Sequence, residues 1–324
     1  MRRSVMKKRF DVYYDEEKLK KILLQRIQDE NKNLFPSVVL IDSISYCNLK
    51  CAMCPHKDMT RKPGIMSWKL YKKIVDEIAI EKPEARVWIT FFGEGLMLND
   101  LDKRIKYAKE KGLKDVVLNS NGNLLNKKWA ERLIKAGLDV LYIGIDAFEE
   151  DTYKKIRVKG NLTKVIEGVL IYKKLLDEIG EKTQKLVVQF VEMPENENEL
   201  EKFVDFWKKQ GVYVKIRPKV SWAGKVKAEN LKDFKFRLPC NWAMNSINIS
   251  DQGKICMCAV DLNCEVIFGD VNKQSIKEIW NTTLKEFRLN HLEGKWDKLP
   301  KLCRNCKDWQ SSYASYIEPG GENT

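Results

Sequence analysis

The sequence predicts an α/β protein with a parallel sheet, either doubly wound or curled into a partial barrel, followed by a small cysteine-rich domain. The first observation is that apolar, β-branched runs alternate six times with segments of helical period after Pro36. Alternation of this kind is typical of parallel sheets, whose active sites form at the carboxyl ends of the strands. The second observation is that the nine cysteines fall into two groups, one at positions 47, 51 and 54 and one between 240 and 306.

The elements of the sheet follow in order along the chain. Strands are predicted at Val38–Ser45, Arg86–Phe92, Asp115–Ser120, Val140–Ala147, Leu186–Met193 and Val212–Pro218. Helices are predicted at 16–32, 67–80, 100–112, 126–137, 161–179 and 196–210. Ser67 and Asn126 stand where helix N-caps are expected, and glycines at 112, 137, 180 and 211 follow the ends of helices.

The pattern changes after residue 219. A hairpin is predicted around a turn at Asp251–Gly253, then a strand at Val266–Val271 and one helix at 275–290. The predicted division is a helical extension at 1–35, the α/β core at 36–220, a linker at 221–239, the cysteine-rich domain at 240–310 and a tail at 311–324.

Composition excludes several classes of protein. The chain has 324 residues, of which 44% are hydrophobic and 32% charged, and no apolar run approaches the length of a membrane span. The basic N-terminus lacks the apolar segment of a signal peptide, so a cytoplasmic protein is predicted. The net charge of +13 does not predict a nucleic-acid partner, because the lysines are interspersed with acidic residues along helices as on solvated faces.

The first cysteine group has the spacing C-x3-C-x2-C and follows the first predicted strand. Cys47, Cys51 and Cys54 can hold three corners of a [4Fe–4S] cluster, since cysteine is its usual ligand, and the fourth iron is then open to a small chelating molecule. A zinc site that uses His56 as the fourth ligand is the alternative.

This motif resembles that of the radical S-adenosylmethionine (SAM) superfamily, whose fold is a partial (β/α)6 TIM-like barrel. In that family the position before the last cysteine is usually aromatic, whereas this chain has Met53, which can still pack against adenine. The resemblance implies that SAM binds the open iron and is cleaved to a 5′-deoxyadenosyl radical, which removes a hydrogen atom from the substrate. It also implies an external one-electron reductant of the flavodoxin or ferredoxin type.

Four further positions resemble the SAM-binding segments of the family. Gly93 and Glu94 match the end of its G-G-E segment, although the preceding glycine is Phe92 here. Ser120 and Asn121 match its T-N-G segment. Asp146 matches the acid of S-x-D, although the serine is replaced by glycine, and Arg157 matches an arginine that pairs with the SAM carboxylate.

The second group resembles the SPASM domain in its shortened "twitch" form. Cys240, Cys258, Cys303 and Cys306 are predicted to hold one auxiliary [4Fe–4S] cluster, and a zinc ribbon with four thiolates is the alternative. Cys256 is an alternative to Cys258 as ligand, and Cys264 is expected to be a buried thiol without a role.

Four protein thiolates leave the auxiliary cluster no open iron, so electron transfer is its expected task. Hydrogen abstraction beside a hydroxyl or amine, followed by loss of a proton and an electron, then gives a ketone or imine. The layout is similar to that of 2-deoxy-scyllo-inosamine dehydrogenases. Radical modification of a ribosomal peptide by epimerisation, cross-linking or oxidation is the second hypothesis, and a non-catalytic zinc protein that binds nucleic acid is the third.

Substrate contacts are expected near the sixth strand. Lys215, Arg217, Lys219 and Trp222 are predicted to face the barrel mouth, where they would meet an anionic or polyhydroxylated small molecule, or else to form a solvated edge. Arg217 is the predicted catalytic residue because it lies at the carboxyl end of the strand. The short N-terminal stretch favours a small carbohydrate- or aminocyclitol-like substrate over a peptide.

Overall fold

The computed structural model describes residues 16–180, 183–233, 236–311 and 314–319. Its strands are β1 Val38–Ile41, β2 Arg86–Trp88, β3 Asp115–Ser120, β4 Val140–Gly144, β5 Lys185–Glu192, β6 Tyr213–Pro218, β7 Ser246–Ile249, β8 Lys254–Cys256, β9 Ile267–Asp270 and β10 Ser315–Ile317. Its helices are α1 Glu16–Asp29, α2 Trp68–Glu81, α3 Leu101–Glu110, α4 Lys127–Lys135, α5 Glu150–Ile156, α6 Leu162–Glu178, α7 Leu200–Lys209, α8 Asn241–Asn245, α9 Ile276–Asn281, α10 Thr283–Leu292 and α11 Lys301–Arg304.

The strands form one sheet in the order β10-β6-β5-β4-β3-β2-β1-β7-β8-β9. Strands β1 to β6 are parallel throughout, as predicted from the alternation of strands and helices. Lys215 Nζ on β6 lies 5.9 Å from the ring centroid of Trp88 on β2, although β3, β4 and β5 separate those strands in the sheet. This short distance shows that the sheet is curled. The predicted α/β fold is confirmed.

Both edges of the six-stranded core are covered by later segments of the chain. Strand β7 pairs in parallel with β1, with Val39 opposite Ile247. Strand β10 pairs antiparallel with β6, with Tyr316 opposite Lys215. Unpaired strand edges expose backbone N–H and C=O groups, so β7 and β10 provide hydrogen-bond partners for the edge strands β1 and β6.

The helix boundaries follow the predicted caps. The side chains of Ser67 and Asn126 accept hydrogen bonds from the N–H groups of Leu70 and Trp129 and begin α2 and α4. The single helix predicted at 275–290 is wrong, because Thr282 has φ −114° and ψ −96° and separates α9 from α10. Strand β10 lies in a segment that was expected to be only a tail.

The main core lies between the outer face of the sheet and its helices. Val214 on β6 and Val212 just before it are fully buried in that core, whereas Tyr213 joins a separate small cluster with Val117, Tyr142 and other inward-facing side chains. Alternate side chains of a strand face opposite sides, so Lys215 and Arg217 face the interior with Tyr213. No helix within the described ranges is long and apolar enough to cross a membrane.

Candidate active site

The first cysteine group lies in the loop that follows β1. The loop is held against the end of α5, because the N–H groups of Lys50 and Ala52 donate to the carbonyls of Val158 and Ile156 at 3.1 and 2.8 Å. Cys47, Cys51 and Cys54 pack together with an apolar cluster that contains Leu49, Met53, Ile156, Val191 and Met193. The loop thus directs three thiols to one partly enclosed region at the carboxyl end of the sheet.

The thiols of Cys47 and Cys54 favour their protonated forms at neutral pH. Burial raises the pKa of Cys47 to about 11 and that of Cys54 to about 12, because it disfavours the thiolate. Cationic and N–H groups nevertheless face the sulfurs: Arg157 Nη1 lies 3.6 Å from Cys51 Sγ, and Asn121 Nδ2 lies 4.0 Å from Cys47 Sγ. Three thiols with N–H donors beside them fit an iron–sulfur cluster, whose binding would release the protons.

Glu94 links the ends of β2 and β3. It is 2% exposed, and its carboxylate accepts hydrogen bonds from Ser120 Oγ and the N–H groups of Asn121 and Leu96, at 2.7, 2.7 and 2.9 Å. Burial raises its pKa, although these donors act in the opposite direction. Gly93 precedes it at a close approach, where an added Cβ would lie 2.2 Å from the carbonyl oxygen of Ile44. The segments that resembled SAM-binding motifs therefore meet beside the thiol loop.

Asp146 and Arg157 form a buried ion pair at the end of β4. Arg157 Nε lies 2.8 Å from Asp146 Oδ2, and Arg157 Nη2 also contacts that oxygen. Burial disfavours the Arg157 cation, but Asp146, Cys51 and Tyr153 together outweigh burial and raise the pKa of the arginine. Asp146 itself has φ +63° and accepts a hydrogen bond from the N–H of Val191 at 2.8 Å. The pair fixes a guanidinium that also reaches Cys51.

The glycine that replaces the expected serine before Asp146 has a structural reason. An added Cβ on Gly144 would lie 2.3 Å from Arg157 Nη2. Asp146 holds that guanidinium in place, so a side chain at position 144 would disrupt the pair. Glycine here accommodates the arginine.

A turn between β6 and α8 contacts the thiol loop. The indole Nε1 of Trp222 donates to the carbonyl of Met53 at 3.0 Å, and Met53 is buried beside the cysteines. Trp222 and Ala223 have φ +53° and +56°, and Asp308 holds this strained turn by accepting from the N–H groups of Ser221 and Ala223 at 2.5 and 2.7 Å. Asp308 follows Cys306 closely, so one turn connects the two cysteine groups.

The second group of thiols surrounds a cavity. Cys240, Cys258, Cys303 and Cys306 line a space of about 330 Å³, which includes open solvent at its mouth. Burial raises the pKa of Cys303 to about 11 and also raises the pKa values of the other three. The remaining walls are mainly apolar and aromatic, with Arg237 and Asp308 as the charged residues. Four thiols around one cavity fit a cluster with a complete set of protein ligands.

The structure brings the two remaining cysteines together. Cys256 and Cys264 form a disulfide, so the prediction of a lone buried thiol at Cys264 is wrong. Cys258, the predicted ligand, lines the cavity, whereas Cys256 is paired with Cys264. The structure also shows how His56 is used: its Nε2 lies 2.7 Å from the carbonyl oxygen of Ser45. Across the described ranges, no three His, Cys, Asp or Glu side chains converge on a single-ion site.

Sequence reasoning missed two groups beside Cys303. Arg237 Nη2 lies 3.5 Å from Cys303 Sγ and donates to the Cys303 carbonyl at 2.9 Å, while His291 Nε2 lies 3.4 Å from the same sulfur. Arg237 and His291 lie 66 and 12 residues from Cys303 in sequence and carry no motif. The tertiary fold brings Arg237, from the linker, and His291, from α10, to the same sulfur.

Arg217 lies on the inner face of β6, near the thiol loop. Its electrostatic neighbours are Asp146, Arg157 and Cys54, and burial lowers its pKa. Lys215 lies deeper, among Trp88, Tyr142 and Tyr316. Lys219 is different, because its ammonium pairs with Glu229 at 3.4 Å.

Known protein families match both halves of this arrangement. The radical SAM superfamily matches residues 41–206, about half of the chain. The chain belongs to the radical SAM superfamily. Residues 240–307 match the SPASM iron–sulfur cluster-binding domain. Membership implies iron–sulfur clusters and SAM as cofactors, and the protein is a radical SAM enzyme.

Individual relatives are similar over different shares of the chain. A probable GTP 3′,8-cyclase of Methanococcus maripaludis is 34% identical over 171 residues, which are 52% of this chain and 54% of that protein. The chain thus spans about half the length of this curated relative. The crystal structure of BtrN in complex with AdoMet and 2-DOIA has a TM-score of 0.59 at 20% identity and covers 83% of this chain and 92% of BtrN. Streptococcus suis SuiB bound to its precursor peptide SuiA has a TM-score of 0.66 at 14% identity and covers 90% of this chain and 74% of SuiB. At these identities the two structures show a shared fold.

Proposed function

We propose that this radical SAM enzyme is a dehydrogenase that oxidises a hydroxyl group of a small, carbohydrate- or aminocyclitol-like substrate. The observation that carries the proposal is the cavity lined by four thiols, in addition to the three-thiol loop. The three cysteines of the loop would leave one iron of a four-iron cluster without a protein ligand, whereas the four cysteines of the cavity would provide a ligand for every iron. The first therefore serves the chemistry of SAM, and the second serves electron transfer.

The residues of the first site have distinct roles in this proposal. Cys47, Cys51 and Cys54 hold the SAM-binding [4Fe–4S] cluster. Arg157, fixed by Asp146, is positioned for the carboxylate of SAM, since guanidinium groups bind carboxylates in a fork geometry. Glu94, with Ser120 and Asn121, forms the wall that receives the amino end of SAM, and Gly93 and Met53 border the nucleoside.

The second site accounts for the electron that dehydrogenation releases. Conversion of an alcohol to a ketone removes one hydrogen atom, one proton and one electron. When bound, the cofactors supply hydrogen-atom abstraction at the first site and an electron acceptor at the second. Cys240, Cys258, Cys303 and Cys306 occupy every iron of the auxiliary cluster, so the substrate has no ligand position there. Arg217, on the inner face of β6 near the three-thiol loop, is the proposed catalytic residue and would bind the substrate. The expected partners are this small molecule and an external one-electron reductant of the flavodoxin or ferredoxin type.

The similarity to probable GTP 3′,8-cyclases favours a second candidate, radical cyclisation of a nucleotide. It rests on 34% identity over about half of the chain. Anaerobic incubation with reductant, SAM and GTP distinguishes the two candidates. A cyclised nucleotide product would favour the second, and a GTP-independent sugar or cyclitol oxidation would favour the first.

The test of the dehydrogenase is the variant Cys303→Ala. With reductant and SAM it should still form 5′-deoxyadenosine but should lose net substrate oxidation, because the auxiliary cluster is incomplete. The matched control is Cys264→Ser, which removes a cysteine of the same region that does not line the cavity and should keep about eight irons per chain. Normal product formation by Cys303→Ala would contradict the proposed electron-acceptor role.

A further inference from the structure

Two cationic side chains line the interior of the curled sheet without a carboxylate partner. Lys215 and Arg217 are both half-buried, and neither forms an ion pair with any carboxylate within the described ranges. Positive charge that is partly removed from water without a counterion is costly, and such charges are usually paired. Burial, Arg217 and Arg86 lower the pKa of Lys215 to about 7, so an anion beside the two side chains would favour the charged form of the lysine.

The neighbouring charges are already neutralised in pairs. Arg86, at the start of β2, pairs with Asp115 at 2.7 Å. Asp146, the carboxylate with the largest electrostatic effect on Arg217, is engaged by Arg157 and by the N–H of Val191. Rearrangement of the existing pairs would leave another buried charge without a partner. Within the described ranges, no carboxylate forms an ion pair with Lys215 or Arg217, so a bound anion would supply their counterion.

Uncharged groups complete the surroundings of Lys215. Its ammonium lies 4.8 Å from the ring centroid of Tyr142, 5.5 Å from that of Tyr316 and 5.9 Å from that of Trp88. These contacts orient the side chain across the interior but supply no formal negative charge. Gln189, opposite Lys215 on β5, is hydrogen-bonded to Asn119 on β3. The wall is therefore polar and aromatic around two cations.

We propose that Lys215 and Arg217 bind a phosphate group of the substrate, so that the substrate is a phosphorylated small molecule. The proposal rests on the dehydrogenase assignment for the identity of the ligand as substrate. Two cations match the two negative charges of a phosphate monoester, whereas a carboxylate carries one. Arginine supplies a fork of N–H donors and lysine a compact charge, a combination suited to phosphate oxygens. Arg217 lies nearer the thiol loop, so the phosphate would anchor the substrate below the reacting carbon.

The first test measures binding of inorganic phosphate to the reconstituted enzyme by anaerobic calorimetry in the presence of saturating SAM. Phosphate should bind, sulfate should compete and acetate should not. Lys215→Met and Arg217→Gln should each weaken phosphate binding by about tenfold or more, as expected for loss of a charged hydrogen-bond partner. The matched control is Lys185→Met. Lys185 also contacts a tyrosine ring, since its ammonium lies 5.8 Å from the ring centroid of Tyr213, but it lies at the amino end of β5, away from the thiol loop. Its affinity should equal that of the wild type.

A second measurement uses only wild-type protein and so does not depend on the folding of a variant. Labelling with acetic anhydride followed by peptide mass spectrometry should show that phosphate protects Lys215 but not Lys185. Unchanged phosphate affinity in the two variants, or absence of protection, would overturn the proposal. Competition by acetate as strong as that by sulfate would assign a carboxylate instead. Phosphate binding that is seen only when SAM is omitted would assign these cations to SAM.

These experiments need no turnover. Loss of the dehydrogenase assignment in the Cys303→Ala experiment would therefore leave the phosphate result standing, and the reverse also holds.

Discussion

The two cysteine groups of this protein are built in different ways. Cys47, Cys51 and Cys54 lie in one short loop after β1, whereas the four cysteines of the cavity come from the start of α8, the end of β8 and the segment around α11. The loop has one ligand fewer and is faced by side chains from neighbouring strands of the core sheet. The difference indicates that a site which leaves one iron free for SAM can be built from a single loop. A site whose four ligands come from separate segments forms only when the tertiary fold brings those segments together.

The largest effect that separates the sites is expected from Cys51→Ala. Loss of one of three ligands should remove about four irons per chain and reduce 5′-deoxyadenosine formation to the background. Iron analysis and product quantification test both effects. Equal loss of SAM cleavage in Cys51→Ala and Cys303→Ala would contradict the proposed division of roles between the two sites.

The next largest effect concerns the buried pair that supports the loop. Arg157→Gln leaves the Asp146 carboxylate, which is fully buried, without its partner, so the free energy of unfolding should fall by about 3–5 kcal/mol. The double variant Asp146→Asn with Arg157→Gln should lose less, because no buried charge remains. Urea denaturation of the metal-free protein measures both. Equal losses in the single and double variants would show that the ion pair is not the source of the effect.

A smaller effect is expected at the cavity. Arg237→Gln should shift the midpoint potential of the auxiliary cluster to a more negative value, because the arginine cation and its N–H donor beside Cys303 Sγ stabilise the reduced state. Redox titration followed by electron paramagnetic resonance measures the shift. Arg304→Gln is the control, since Arg304 donates only to the carbonyls of Asp297 and Leu299. A potential equal to that of the control would remove Arg237 from this role.

The last effect is a pH dependence that Lys215 gives to the core sheet. Burial, followed by Arg217 and Arg86, lowers the pKa of Lys215 from 10.5 to about 7, while Tyr142 and Tyr316 are its uncharged neighbours. The unfolded chain then binds more protons than the folded chain between pH 7 and 10.5, so stability should rise with pH in that window. Compared with Lys215→Met, wild-type protein should show the steeper rise in urea midpoint. Parallel curves would place the lysine at its ordinary pKa.

Much of this arrangement was predictable because its causes are local. The thiol loop is a motif of eight residues, and the segments at Gly93–Glu94 and Ser120–Asn121 follow the ends of successive parallel strands, which lie at one edge of the sheet. The ion pair of Asp146 with Arg157 was not predicted, because the arginine was assigned to SAM alone. The break at Thr282 and the Cys256–Cys264 disulfide were also missed, since neither has a signal in composition or period.

The sequence by itself determined the family, the α/β core and the residues that form the three-thiol loop, because strand–helix alternation and close cysteine spacing act over short distances along the chain. Only the tertiary structure decided how the edges of the core are covered and that Arg237 and His291 meet Cys303. It also decided that Lys215 and Arg217 form no ion pair with a carboxylate in the part of the chain that the structure describes. Those features depend on which distant segments pack against each other. Contacts between distant segments form when the whole chain buries its apolar surface, and no short segment specifies them.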